Sequence, residues 1–223
     1  MVVATRQSES ILSSGRILDE DKITRALNNA QNLGAEYAEI RLVSETTNTA
    51  SLKDGKLERA IPGQEVGVTM RILADGAWGV HSTSDIDSII HQVEPTYRLA
   101  KAVAARRSPS QPAVGLAEVP VIEDELHWRS VKDVRDTSLD TRIELMLAID
   151  NEAKDHDKIV STSTGWSDEH IHTELMTTEG MNRVWSFQRS LINGMVTARE
   201  GDDVVSYRTV SYTHLRAHET TDN

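Results

Sequence analysis

From Asp19 to Gly34 the apolar residues Ile23, Ala26, Leu27 and Ala30 recur at the three- and four-residue spacing of one helical face. Asp19 is the expected N-cap, Glu20 and Asp21 suit the first turn, and Gly34 supplies the stop. The period then switches to two. Ala38, Ile40 and Leu42 alternate with Glu39 and Arg41, which predicts a strand with one apolar and one wet face. Asp54-Gly55 is a hairpin signal, because both residues tolerate the positive φ that a two-residue turn demands. Val66, Val68, Met70 and Ile72 continue the alternation, and Asp75-Gly76 turns the chain into a strand from Ala77 to His81.

Ser84 or Asp85 is then placed to cap a second helix, reaching to Arg106 and carrying Ile86, Ile89, Ile90 and Val93, which Pro95 is expected to kink or split. Periodicity fails across 107–136, where Pro109, Pro112, Gly115 and Pro120 fall, and this stretch reads as a linker. In it, Ala113–Ile122 is expected to lie extended along a surface, Glu123–Glu125 to be a solvated loop, and Trp128 to anchor the linker. Ser138 caps a third helix to Lys154, with Leu139, Ile143, Met146, Leu147 and Ala153 as its apolar residues. Strands follow at 159–166, 169–178, 183–198 and 204–207.

The second helix-then-meander run repeats the order of the first. Gly55 matches Gly180 and Gly76 matches Gly201 at the same offset of 125 residues, so an internal pseudo-repeat is expected. The predicted fold class is α+β: two helix-plus-antiparallel-meander units, with helices covering one side of the sheet. The expected organisation is a tail at 1–16 and a domain at 17–208, made of a first unit (17–106), the linker (107–136) and a second unit (137–208).

Composition narrows the functional classes. The 223 residues carry a formal net charge of -11, which argues against a phosphate-binding surface, so no direct nucleic-acid partner is expected. There is no Cys, hence no thiol nucleophile and no Cys-ligated zinc. Only 4% of residues are aromatic, so the core must come from Ile, Leu, Val, Met and Ala. No signal-peptide core and no long apolar run is present, so the expected setting is the cytoplasm, with no membrane partner.

Histidines are the residues that could carry metal chemistry. His170 and His172 stand two apart on a predicted strand and would share a face, with Asp168 or Glu174 as a companion ligand; the preferred reading is a pair of solvated polar residues. His81, at a strand end, could face a ligand or be a polar edge residue, and His127 could line a cleft. His214 and His218 have the i, i+4 spacing that presents two imidazoles to one ion on a helix, yet Leu215 stands where a general-base Glu would be needed. The tail V-S-Y-T-H-L-R-A-H-E-T-T-D-N looks like translated adapter sequence, so 209–223 is expected to be a non-native end, poorly packed from about Ser211 to Asn223.

The run G-A-E-Y-A-E-I-R-L from Gly34, the Lys53–Arg59 hairpin, Gly67–Leu73 and Asp75–Gly79 together resemble the N-terminal domain of the TldD/PmbA family, described both as zinc-dependent peptidases and as modulators of DNA gyrase. The resemblance spans about Ile17 to Arg208, and R-I-L-A-D-G-A-W-G-V is closer to its TldD-like side. It implies a substrate-cleft-forming portion of a zinc metallopeptidase acting on unfolded or small peptides, with metal-activated water and a Glu base. The family's H-E-x-x-x-H motif belongs to a C-terminal domain, so the chain is expected to stop short of the metal site, to contain no catalytic residue and to bind no zinc itself. The alternative is a non-catalytic partner subunit. Either way the implied partners are a peptide substrate and a family subunit, in a homo- or hetero-dimer.

Overall fold

The computed structural model describes residues 15–108, 110–127 and 132–212. In chain order the elements are α1 (Glu20–Asn32), β1 (Tyr37–Lys53), β2 (Lys56–Ala74), β3 (Ala77–Thr83), α2 (Val93–Ala105), β4 (Glu123–His127), α3 (Leu139–Lys154), β5 (Ile159–Thr177), β6 (Asn182–Glu200) and β7 (Asp203–Tyr212). Among the described residues the strands form one seven-stranded sheet in the order β3-β2-β1-β5-β6-β4, with β7 also on β6. β2–β3 and β6–β7 pair antiparallel and β4–β6 pairs parallel, so the fold is α+β on a mostly antiparallel sheet, as the period switch predicts. None of the described helices is long and apolar enough to cross a membrane.

Two compact units divide the chain, and neither is a continuous half. The first takes residues 1–44, 66–127 and 172–186, the second 45–65, 128–171 and 187–223. In the first unit α1 buries Ile23, Ala26, Leu27 and Ala30 against Ala38, Ile40 and Leu42 of β1 and Val68, Met70 and Ile72 of β2. The predicted helical stripe and strand alternation are thus the two halves of one core. Asp19 caps α1 by accepting from the Lys22 N–H at 3.1 Å.

Upstream of α1 the chain is clasped by a buried carboxylate. Glu174 of β5, 1% exposed, accepts the N–H of Ile17 at 2.5 Å and of Leu18 at 3.0 Å. Both turns that the sequence marks have left-handed residues, with φ of 51° and 79° at Asp54 and Gly55 and 50° and 68° at Asp75 and Gly76.

Four elements differ from expectation. Pro95 neither kinks nor splits a helix: it is the third residue of α2, where an N–H has no intrahelical acceptor, and a 3-10 turn over Asp87–Gln92 precedes it. Glu123–Glu125 is not a loop but lies in β4, an exposed strand whose backbone pairs with Asn182–Ser186. The expected break at residues 167–168 is absent, because Asp168 is buried and hydrogen-bonded within a continuous β5. β7 runs through residues 209–212, the start of the expected tail, with Tyr212 opposite Leu191; residues 213–223 and Trp128 lie outside the described residues.

Gly79 sets the seat of α2 on β3. A Cβ there would meet the Thr96 carbonyl oxygen at 2.1 Å and the Ala100 nitrogen at 2.9 Å, so helix backbone rests directly on strand backbone. Gly79→Ala is expected to lower unfolding free energy by about 3 kcal/mol, since the clashing atoms are main chain and cannot rotate away. Gly115→Ala, with no atom near its Cβ and an ordinary φ, should change it by less than about 0.5 kcal/mol. Urea titrations of both variants check this, and equal midpoints would disprove the close-approach account.

Candidate functional site

Three polar centres are built into the strands. In the second unit α3 turns Arg142, Met146 and Asp150 inward, one residue per turn. Only the middle one is apolar. Leu139, which the sequence pattern assigns to the buried stripe, is 42% exposed, because the network around Arg142 dictates which face of α3 turns inward. Arg142 Nε donates to Asp168 Oδ2 at 2.6 Å, and its two Nη groups donate to the carbonyls of Val134 and Thr137. Trp166 Nε1 donates to the same Asp168 oxygen at 2.9 Å, and Asn48 Nδ2 donates to Oδ1 at 3.1 Å. Both carboxylate oxygens are thereby engaged, so this centre is a closed structural device.

Beside it opens a cavity of about 330 Å³ lined by the Glu169–Arg189 ion pair, Ser167, Ser190, Leu191 and Tyr212. Near the start of α3, Asp133 is held below its ordinary carboxylate range chiefly by hydrogen bonds from the Arg135 side chain and backbone.

The other two centres belong to the first unit. His172 Nε2 lies 2.8 Å from Glu174 Oε1, the carboxylate that also clasps Ile17 and Leu18, so this histidine has a structural partner. On β1, Glu39 is 4% exposed although its alternation predicts a wet position. Tyr37 donates its OH to Glu39 Oε2 at 2.8 Å, and Arg71 donates its Nε to Oε1 at 2.7 Å. Trp78 meets the Tyr37 ring edge-on at 5.8 Å and lies beneath the Arg71 guanidinium, 4.9 Å from the ring centroid.

Burial pushes the Glu39 carboxyl up, but the Arg71 and Tyr37 hydrogen bonds and the Arg71 charge outweigh it, and the net pKa lies below the ordinary 4.5. Burial, then the neighbouring Glu39, pushes the Tyr37 phenol well up, which keeps it a donor.

Of the remaining histidines, His81 pairs in register with the buried Met70, on the side of the strand that faces the helices. His127 contacts its register partner Ser186, Nδ1 to Oγ 2.7 Å, a cross-strand pair on an exposed strand. His170 lies near enough to Asp133 to lower its pKa. His214 and His218 lie outside the described residues. Among the described residues no group of three or more His, Cys, Asp or Glu side chains is placed to hold a metal ion, and His172 and Asp168 are already committed, so these residues do not fit a zinc centre.

Comparison with known proteins places this architecture. Residues 38–107 match PmbA/TldA metallopeptidase domain 1, and residues 132–219 match the PmbA/TldA metallopeptidase central domain. The chain belongs to the TldD/PmbA family. A metalloprotease of Methanocaldococcus jannaschii is 26% identical over 175 residues, covering 76% of this chain and 37% of its own length. A metalloprotease of Methanothermobacter thermautotrophicus is 27% identical over 145 residues, covering 65% and 30%. The chain thus spans about a third of the length of these TldD/PmbA relatives.

Among solved structures, a candidate modulator of a DNA gyrase from Thermotoga maritima superposes with a TM-score of 0.66 at 16% identity, over 86% of this chain and 42% of that one. TldE from Thermococcus kodakarensis gives 0.59 at 13% identity, over 86% and 42%. These two likenesses establish the shared fold.

Two measurements probe the TldD/PmbA centres. Asp168→Ala leaves Arg142 buried without its partner and should cost about 3–5 kcal/mol, whereas Arg142→Met with Asp168→Leu should recover most of that; additive losses in the double variant would refute the closed-network account. Because the folded pKa of Glu39 is depressed, its ionised form stabilises the fold above about pH 4.5, and that contribution is lost as pH falls through the folded value. The thermal midpoint of the native chain should therefore fall more steeply between neutral and acid pH than that of Glu39→Gln; parallel curves would contradict this.

Proposed function

We propose that this chain is the substrate-cleft-forming portion of a TldD/PmbA-type zinc metallopeptidase that cleaves unfolded or small peptides in the cytoplasm. The observation that carries the reading is the pair of consecutive matches to domain 1 and the central domain of a metallopeptidase family, reinforced by relatives named metalloproteases. Zinc and the general base would be supplied by residues beyond those described, since among the described residues no group of three or more His, Cys, Asp or Glu side chains is placed to hold a metal ion. What these residues contribute is a mostly antiparallel sheet, a surface suited to an extended main chain. A peptide is the expected substrate and a family subunit, identical or not, the expected partner in a dimer.

The test uses the protein encoded by the full gene, together with the 223-residue chain. The full-length protein should digest casein, lose that activity on chelation and regain it with zinc. The chain itself should show no cleavage and no sub-micromolar zinc binding by calorimetry. A full-length protein that dimerises yet never cleaves would overturn the peptidase assignment in favour of a partner subunit. Tight zinc binding by the chain, abolished in His170→Ala with His172→Ala, would overturn the placement of the metal elsewhere.

A further inference from the structure

We propose that Arg71 is a recognition residue for the free C-terminal carboxylate of a bound peptide, held ready by Glu39, Tyr37 and Trp78; this rests on the peptidase reading and names the part of the substrate that this unit reads. Among the described residues Arg71 uses only Nε internally, on Glu39 Oε1, and Glu39 takes its other hydrogen bond from Tyr37. Glu39 and Tyr37 are 4% and 8% exposed, so the support is rigid, whereas the Arg71 side chain is 42% exposed. Trp78 beneath the guanidinium removes the remaining freedom of its plane. Among the described residues the two Nη groups make no hydrogen bond, and as a planar fork on a 42% exposed side chain they have the geometry that accepts a carboxylate through two parallel hydrogen bonds.

Neutralising Glu39 alone would not require this arrangement, because a lysine could do it without a stacked plane. The surroundings suit a peptide terminus better than a bare anion. Alternation puts exposed Arg41 and Val43 on the same face of β1, and Val80 stands opposite Arg71 in the β2–β3 register with 47% exposure. A terminal carboxylate on Arg71 would thus set the last side chain against Val80, with Arg41 adding positive charge.

The test is an NMR titration of the isotopically labelled chain, following the Trp78 indole and Arg71 side-chain signals, with Ala-Leu-Ala as the free acid, Ala-Leu-Ala amide, and acetate. The free acid should shift these signals saturably, the amide should bind at least about tenfold more weakly, and acetate should have little effect at the same concentration. Arg71→Lys keeps the charge and the Glu39 pair but loses the fork, and should weaken the acid at least about tenfold with an unchanged thermal midpoint. Equal binding of acid and amide, an acetate effect equal to that of the peptide, full affinity in Arg71→Lys, or no saturable shift would each overturn the assignment. Zinc-dependent cleavage by the full-length protein that treats acid and amide alike would sink this inference and leave the peptidase reading standing; acid-selective binding without any cleavage would do the reverse.

Discussion

A carboxylate taken out of water must have its lone pairs met by donors, and in the second unit that requirement on Asp168 decides how the helix lies. Arg142, Trp166 and Asn48 converge on it from α3, β5 and β1. Arg142 also fixes the chain entering α3 through the carbonyls of Val134 and Thr137. The apolar support is slight, with Ala50, Leu52 and Met146 as its buried members. Geometry rather than greasy area therefore sets the rotation of α3. Since burying an ion pair gains little net energy over an apolar replacement, the network is better understood as fixing orientation than as adding stability.

The first unit obeys the opposite rule. Its helices lie on an apolar stripe that area burial alone can hold, and Gly79 lets α2 settle onto β3 until main chain meets main chain. Its polar groups are pushed to the other side of β1 and to the far end of β5. There they act singly: Glu39 holds one arginine and one tyrosine, Glu174 one histidine and two backbone amides.

What could be read from the sequence follows from that contrast. Period and turn chemistry mark α1, the start of β1, both Asp-Gly hairpins and the caps at Asp19 and Ser138, because local pattern and tertiary burial agree there. They mislead where burial is polar. A pattern that scores Glu39 as wet and Leu139 as core has no way to see partners 32 or 26 residues away, the separations of Glu39–Arg71 and Arg142–Asp168. One signal was available in retrospect. Thr162, Thr164, Trp166 and Asp168 alternate strictly, and Arg142 and Asp150 sit two turns apart on the facing helix, a polar version of the same matching. The candidate carboxylate fork could not be inferred from Arg71 alone, because its meaning depends on Trp78 and Tyr37 arriving from other strands.

The Glu174 clasp also has an order in time. Its two amide donors, Ile17 and Leu18, lie 157 and 156 residues upstream of it. During synthesis α1 and the first three strands leave the ribosome long before β5 exists, so the entry to α1 stays untethered while most of this stretch is being translated. The apolar stripe of α1 is then covered by β1, β2 and the Ile89 and Val93 side chains that follow them, and Met176, the β5 member of the same core, arrives with the clasp. A nascent chain that ends before Glu174 leaves the entry to α1 unclasped, and the first unit is complete only once residues 172–186 have followed.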